Sequence, residues 1–174
     1  EPGPPGPDQT WDHGTIVGCG TPTTITWEAP PVGTTSYDVS QRFGSMSPSA
    51  YFQSEPDAFR MTIRAPMPND VFTFTDPKDV FRFPFAYQEN FTEAFDGVRV
   101  FGASSETFQG SRTVTYDAYG TLAVPGWGTF TDVVRLHVVE QIEYAVSTFL
   151  SNTEEQYLYF RPEVHQPVLS IISY

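Results

Sequence analysis

Residues 113–140 read TVTYDAYGTLAV-PGWG-TFTDVVRLHVVE, and their pattern is the clearest indication of the fold. Its first part, Thr113–Val124, is rich in β-branched and aromatic residues, a composition that favours a pleated strand, and a bend or bulge is expected at Gly120. Pro125–Gly128 has the residues of a turn. Thr129–Glu140 then places valine and leucine at alternate positions, which is the period of a strand. The stretch therefore predicts two long strands joined by a tight turn.

Further strands are expected on both sides of this pair, at the spacing of a sandwich or barrel. Asp96-Gly97 is a two-residue hairpin signal between two of them. Residues 142–150 also have apolar side chains at helical spacing, but the surrounding Val, Tyr and Thr favour a strand. These strands are predicted at Thr24–Glu28, Ser36–Phe43, Ala58–Arg64, Val71–Thr75, Val80–Phe85, Phe91–Phe95, Val98–Phe101, Tyr144–Leu150, Glu155–Phe160 and Val168–Ser173. The predicted fold is all-β, an antiparallel β-sandwich with jelly-roll-like or Greek-key connections.

The composition agrees with a β-protein of one domain. The 174 residues include 15 Phe, 9 Tyr, 16 Pro and 13 Gly, and only Lys78 is a lysine. Aromatic residues fit a half-buried sheet surface, and Pro and Gly mark turns. The length fits a single domain, which we place at residues 11–174, after an extended Pro/Gly-rich arm or linker at residues 1–10. The residues expected to form an assembly arm are Pro2, Pro4, Pro5, Pro7 and Trp11.

The charge of the chain disfavours two classes of partner. Nine basic and 21 acidic residues give a formal net charge of −12. An acidic surface repels phosphate backbones and anionic lipids, so we expect neither nucleic-acid binding nor binding to a membrane surface. No apolar run approaches the roughly 20 residues that a membrane-spanning helix needs, so membrane insertion is not expected.

Few side chains are placed for catalysis or metal binding. His13, His137 and His165 lie far apart, and none has a metal-ligand partner at i+2 or i+4. Cys19 is the one cysteine, so it forms no internal disulfide and is expected to be a small buried hydrophobe. The glycine motifs of phosphate-binding loops and nucleophile elbows are absent from the sequence. We therefore expect a protein that is not an enzyme and has no catalytic residues, no cofactor and no metal.

Two groups of side chains are candidates for ligand binding. Asp70, Asp76 and Asp79 surround a predicted turn and offer oxygen ligands to calcium, although the absence of a calcium-loop pattern favours a solvated acidic turn. Trp27 and Trp127 are candidates for stacking on sugar rings, with Trp127 in a glycine-flanked turn. The alternative is that most aromatic side chains at alternate strand positions belong to the core.

The central stretch resembles a signature of secreted proteins. Asp117–Pro125 (DAYGTLAVP), followed by Gly128–Phe130 and Val133–Leu136, is similar to the "DGYGTL-x-x-P…GT-[FY]-x-NVLR" signature of surface and secreted proteins of Bacteroidetes-type bacteria, which are exported by the type IX secretion system. Three further segments resemble other parts of the same family in the same order: Gly6–Asp12, Phe83–Phe91 and Tyr159–Ile171. The resemblance implies a β-sandwich displayed outside the cell, with no catalytic residues to transfer.

Two functions follow as expectations. The first is a secreted, non-enzymatic structural protein of the cell surface, an adhesin module or a subunit of an extracellular filament. Its copies would join into homo-oligomers or polymers through sheet edges and termini, because a flexible arm and a terminal strand can add to neighbouring sheets. The alternative is a carbohydrate-binding accessory module of a secreted hydrolase, with surface glycans as ligands of Trp127 and Trp27.

Overall fold

The structure of the protein, a computed structural model, describes residues 1–13, 25–32, 34–43, 49–161 and 167–173. Cys19, His165 and Tyr174 lie outside these ranges. The described residues form eleven strands: β1 (Gly6–Asp12), β2 (Ile25–Glu28), β3 (Val39–Phe43), β4 (Ala50–Ser54), β5 (Ala58–Met67), β6 (Asp70–Arg82), β7 (Asn90–Phe101), β8 (Ser104–Val124), β9 (Gly128–Tyr144), β10 (Asn152–Phe160) and β11 (Leu169–Ser173).

Ten of these strands form one continuous antiparallel sheet. Its order is sequential from β2 at one edge to β11 at the other, and β1 joins β8 as a parallel strand. The prediction of an all-β antiparallel fold is confirmed. The described strands belong to a single sheet that curls into half of a barrel. The two separate layers expected from jelly-roll or Greek-key connections are therefore not seen among them, because the long strands cover their own core by curling.

Side-chain contacts across the sheet show how strongly it curls. Phe81 in β6 and Phe160 in β10 lie on strands four places apart, which are about 19 Å from each other in a flat sheet. Their ring centroids are only 5.0 Å apart, in an edge-to-face arrangement. Lys78 Nζ in β6 likewise lies 3.0 Å from Glu140 Oε1 in β9, three places away. Side chains of distant strands therefore meet inside the curl.

The concave face holds the main hydrophobic core. Its two clusters consist of buried side chains from β6 to β10 that pack mostly through aromatic rings. The first contains Phe91, Val114, Leu136, Val138, Leu158 and Phe160, and the second contains Phe72, Phe74, Phe95 and Phe108. Burying one such side chain stabilises the fold by roughly 1.5–3 kcal/mol. For these residues, the expectation that aromatic side chains at alternate strand positions form the core is confirmed.

The hairpin predicted at Asp96-Gly97 is wrong, because both residues lie within the continuous strand β7. Gly97 pairs across the ladder with Phe108, and Phe95 pairs with Gly110. A Cβ atom at Gly97 would lie 2.7 Å from Phe108 Cζ, and one at Gly110 would lie 2.5 Å from Phe95 Cζ. Each glycine therefore leaves room for the phenylalanine ring of the neighbouring strand, and this packing explains both glycines without a turn.

Two other strand boundaries differ from the prediction. The segments Val71–Thr75 and Val80–Phe85 were expected to be separate, but β6 runs through Asp76 and Pro77, and its register with β5 shifts there. The sheet thus absorbs the proline as an irregularity instead of turning. The strand predicted at Tyr144–Leu150 is also wrong, because β9 ends at its first residue and a single 3₁₀ turn follows at Thr148–Leu150.

Candidate functional site

Strand β8 changes the face that it buries halfway along its length. Tyr116 pairs with Leu136 of β9, but Ala118 pairs with Arg135, so Asp117 is an extra residue in the ladder. A bulge of one residue turns the following side chains to the other face of the sheet. Tyr116 therefore packs against the concave core, whereas Ala118 belongs to a different cluster on the outer face.

The open edge of this second half of β8 receives the N-terminal strand. Because β7 begins at the residue that pairs with Thr115, the edge of β8 beyond that point is open to another strand. Strand β1 occupies the edge in parallel, with Gln9 opposite Gly120 and Trp11 opposite Leu122. A Cβ atom at Gly120 would lie 1.9 Å from the carbonyl oxygen of Gln9. Only glycine permits this approach, and the bulge predicted at Gly120 is confirmed by a register shift between Gly120 and Leu122.

Trp11 is the side chain that anchors this strand. Only 2% of its surface is exposed, and its ring meets the edge of the Tyr159 ring at a centroid distance of 5.2 Å. The indole Nε1–H donates to the carbonyl oxygen of Pro4, 3.3 Å away, so the chain folds back over its own tryptophan. A side chain at Gly3 would collide with the indole ring. The cluster around Trp11 contains Ala118, Leu122, Val133 and Tyr159.

Arg135 holds the residues that precede β1. It is 1% exposed, and its Nε and Nη2 donate to the two carboxylate oxygens of Asp117 at 3.0 and 2.8 Å. Its Nη1 donates to the carbonyl oxygens of Pro2 at 2.8 Å and Gly3 at 2.9 Å. Burial raises the pKa of Tyr159, whose hydroxyl also donates to the carbonyl of Pro2. The groove thus recognises main-chain carbonyls with buried donors, and the bulged Asp117 balances the arginine charge.

The predicted arm residues have different surroundings in this arrangement. Trp11 is buried and Pro2 is half-buried, whereas Pro4, Pro5 and Pro7 are exposed. The Pro7 carbonyl accepts a hydrogen bond of 2.8 Å from the Gln9 side chain. The extended arm expected at residues 1–10 is therefore not confirmed, because its last residues belong to β1 and the residues before them fold back over Trp11. Sequence reasoning missed Arg135 and Tyr159, which hold this segment from the far end of the chain.

Three of the four segments that carry the family resemblance meet at this groove, whereas Phe83–Phe91 lies at the concave core. Gly6–Asp12 is β1, and Asp117–Pro125 supplies the edge on which β1 lies. Val133 and Tyr159 line the pocket of Trp11, and side chains of the closing segment pack against them. These segments are distant in sequence and adjacent in space, so their residues serve the docking of the N-terminal strand.

A second site lies inside the curl of the sheet, where the walls leave a cavity of about 720 Å³. It is lined by Trp27, Asp38, Val39, Ser54, Phe59, Phe81, Arg82, Phe83, Phe85, Tyr116, Val134, Leu136 and Phe160. Trp27 is thus part of a cavity wall. Trp127 is not among the lining residues; it lies in the turn between β8 and β9 and is 75% exposed. The two tryptophans proposed to stack on sugar are therefore not brought together at this cavity.

Buried charges on the concave side form ion pairs across strands. Lys78 Nζ lies 3.0 Å from both carboxylate oxygens of Glu140, and Arg112 Nη1 lies 3.3 Å from one of them. Burial lowers the pKa of Lys78. Burial also raises the pKa of the neighbouring Glu93 carboxyl to about 7. Lys78 and Arg112 thus form structural ion pairs with Glu140 inside the sheet, whereas one carboxylate oxygen of Glu93 is buried without a hydrogen-bond partner among the described residues.

The three aspartates considered for calcium do not form the predicted acidic turn, because all lie within β6. Asp70 is buried and binds Arg99 through both carboxylate oxygens, at 2.8 and 3.1 Å. Asp79 is buried as well, and Arg60 and Arg82 bind one oxygen each. Among the described residues, no group of three His, Cys, Asp or Glu side chains is placed to hold a metal ion.

The two described histidines pack against different tyrosines, and the His13 ring meets the edge of the Tyr159 ring at a centroid distance of 5.7 Å. His137 Nε2 lies 2.7 Å from Glu155 Oε1, and its ring stacks on Tyr157 at a centroid distance of 4.6 Å.

In the part of the chain that the structure covers, no helix is long and apolar enough to cross a membrane. Comparison of the chain with protein-family models, with curated proteins and with solved structures gives no match.

Proposed function

We propose that this chain is a secreted, non-enzymatic structural protein of a bacterial cell surface, an adhesin-type or filament-forming module whose copies join by exchanging the N-terminal strand. The docking of β1 in its groove carries this proposal. Main-chain ladder bonds hold the strand, a pocket takes Trp11, and buried donors on Arg135 and Tyr159 bind the carbonyls before it. Extended peptides add to sheet edges by this combination of ladder bonds and side-chain pockets.

The pairing of β1 suits an exchange between copies. Within the described residues it pairs with β8 and with no other strand, and it is joined to β2 by residues 13–24. Exchanging an identical element between protomers replaces each contact by the same contact from a neighbour. When one copy gives its strand to the next in a head-to-tail direction, the chain of subunits stays open and grows into a filament.

Concentration decides between the closed monomer and the assembly. A tethered segment reaches its own groove at an effective concentration in the millimolar range, so dilute protein keeps β1 in its own groove. Export of many copies to one surface raises the local concentration and favours exchange. The resemblance of four segments to surface proteins supports this location, and three of these segments build the groove.

Two complementary variants test the exchange. Trp11→Ala weakens the docking of β1 and leaves the groove intact. Gly120→Ala leaves β1 intact and blocks the groove, because the Cβ that it adds would collide with Gln9 of any docked strand. We expect a one-to-one complex when the two variants are mixed, detected by light scattering after gel filtration, and monomers when each is measured alone. The matched control is Trp127→Ala, an exposed tryptophan in a turn, which behaves as the wild-type chain.

The wild-type chain should form concentration-dependent oligomers or fibres visible by electron microscopy. Monomers at every concentration, together with no complex in the mixture of variants, would contradict the exchange. Oligomers that persist in the Trp11→Ala variant would contradict the groove as the assembly site.

Glycan binding at the β8–β9 turn is a second candidate function. The observation that favours it is the exposure of Trp127, because an exposed indole face is the usual platform for a sugar ring. Binding on a glycan array that is lost in Trp127→Ala would support this function. Absence of binding to every glycan would count against it.

A further inference from the structure

The cavity inside the curl is shaped by rings that support one another. Phe59 stacks on Phe52 at a centroid distance of 4.7 Å and on Phe81 at 6.5 Å, and Phe81 meets Phe160 edge to face at 5.0 Å. Trp27 closes the other end of this arc, 6.2 Å from Phe59. The rings thus form a curved aromatic wall from β2 to β10 around the cavity. Because the rings pack against one another, they do not fold inward to fill the cavity.

The floor and the rim of the cavity differ. Leu136 and Phe160 at the floor are buried, with 4% and 8% of their surface exposed. Phe83 at the rim is 53% exposed, and Ser54 beside the opening is also exposed. Small-molecule sites are typically concave, mostly apolar and roughly 300–1,000 Å³ in volume, with a few polar groups at chosen places. The cavity of about 720 Å³ falls within that range.

The two charged side chains of the lining form hydrogen bonds with the protein. Arg82 Nε donates to Asp79 at 2.6 Å, and its guanidinium carbon lies 4.5 Å from the centroid of the Phe91 ring. Asp38 Oδ2 accepts the main-chain N–H of Ser54 at 2.8 Å. A sugar needs several donors and acceptors to replace the water on its hydroxyls, because unpaired polar groups are costly to bury. Ten of the thirteen lining side chains are instead aliphatic or aromatic, which favours an apolar ligand over a glycan.

The charge of the lining is balanced as well. Arg82 is its one basic side chain and Asp38 its one acidic side chain, so the lining carries no net charge. An ion of either sign would meet both charges as it lost its hydration. We propose that this cavity is a binding site for a small, uncharged and largely apolar molecule that carries a ring system or a short hydrocarbon chain.

A neutral fluorophore tests the site on the full chain. N-phenyl-1-naphthylamine becomes brighter and shifts to the blue when it enters an apolar site, and we expect saturable one-to-one binding. Ser54→Trp places an indole at the opening and should raise the dissociation constant by roughly tenfold or more. Ser104→Trp is the matched control, because Ser104 is also an exposed strand-end serine but lies outside the lining. The control should bind as the wild type does.

A milder variant keeps the test independent of folding. Phe83→Ala removes a half-exposed rim ring and should weaken binding roughly threefold to tenfold, while near-ultraviolet circular dichroism stays unchanged. Absence of saturable binding in the wild type, or equal binding in Ser54→Trp, would overturn the proposal. Tighter binding of the anionic probe 1-anilinonaphthalene-8-sulfonate would overturn the uncharged ligand, and glycan binding that Ser54→Trp abolishes would replace it by a sugar.

Discussion

The two halves of β8 belong to the same strand and bury opposite faces. Before the bulge at Asp117, Val114 is fully buried in the concave core, among side chains of antiparallel neighbours. After the bulge, Leu122 is fully buried on the outer face, in the cluster that Trp11 of the parallel strand β1 completes. The first half is covered by the curl of the sheet itself, and the second by a segment from the other end of the chain.

This difference shows how one sheet maintains two cores. The inner core depends on curvature, which brings together side chains of strands up to four places apart. The outer core depends on a single docked segment, which Arg135 binds through two hydrogen bonds while two others hold its guanidinium to Asp117. Damage to the inner core should therefore unfold the whole sheet, whereas damage to the outer core should first release β1.

We expect the substitution of Arg135 to lower the free energy of unfolding more than the other substitutions do. In Arg135→Met the carboxylate of Asp117 and the carbonyls of Pro2 and Gly3 lose their buried donor. Removing one partner of a buried ion pair costs about 3–5 kcal/mol. We expect this loss in the free energy of unfolding by urea, together with faster amide exchange in β1. Unchanged exchange in residues 6–12 would contradict the role of Arg135 in docking.

The inner core contains a group that should work against stability at neutral pH. The Glu93 pKa is raised from 4.5 to about 7, chiefly by burial and also by the charge of Asp79, although a main-chain hydrogen bond at Asp79 and the charges of Arg112 and Arg82 lower it. The folded chain thus binds more protons than the unfolded chain between these values, so stability falls as pH rises from 4.5 to 7.

We therefore expect Glu93→Gln to match the wild type near pH 5 and to exceed it at pH 8 by up to roughly 3 kcal/mol. Urea midpoints at the two pH values measure this, with the exposed Asp76→Asn as control. An equal difference between variant and wild type at both pH values would show that Glu93 does not titrate in this range.

Two glycine substitutions should separate the two cores directly. Gly97→Ala, on β7, forces a Cβ to within 2.2 Å of the Thr73 carbonyl oxygen and 2.7 Å of the Phe108 ring in the inner core, and overpacking of this kind costs about 1–3 kcal/mol or more. Gly120→Ala obstructs only β1, so it should leave the unfolding midpoint of the sheet nearly unchanged while amide protection in β1 is lost. Equal global destabilisation by both substitutions would show that the two cores unfold as one unit.

The smallest effect is expected at a surface ion pair that resembles the pair of Arg135. Arg42 binds both carboxylate oxygens of Glu28, at 2.9 and 2.7 Å, but both side chains are about one-third exposed. Solvent screens such pairs, so Arg42→Met should leave the urea midpoint unchanged within error. A loss comparable to that of Arg135→Met would mean that two-point geometry, and not burial, sets the strength of these pairs.

Local patterns in the sequence predicted the strands better than they predicted the connections. The alternation of Val134, Leu136 and Val138 correctly indicates one buried face of β9, and Gly120 correctly indicates a bulge. Asp96-Gly97 carries a strong turn signal, yet Phe108 needs the space above Gly97. A residue on another strand therefore decides that position, and no local pattern contains this information.

The outer core was largely hidden from sequence reasoning for the same reason. Trp11 could be assigned to an N-terminal arm, but its pocket depends on Arg135 and Tyr159, which follow it by more than 120 residues. The bulge at Asp117 contains no glycine or proline that would have indicated it in the sequence. This bulge alone places Ala118 on the outer face. Of the cavity lining, sequence reasoning had named only Trp27 as a binding residue. The cavity itself could not be predicted, because it depends on the curl of the sheet.

The hydrogen bond between Tyr159 and Pro2 spans 157 residues, and this separation sets an order of events during synthesis. At 5–20 residues per second, the first residues leave the ribosome roughly 10–30 s before the residues that receive them. Long-range pairings of this kind also form slowly once both partners exist. The N-terminal segment is thus the last part of the chain to find its place, and throughout that interval an already completed neighbouring groove is a competing destination for it.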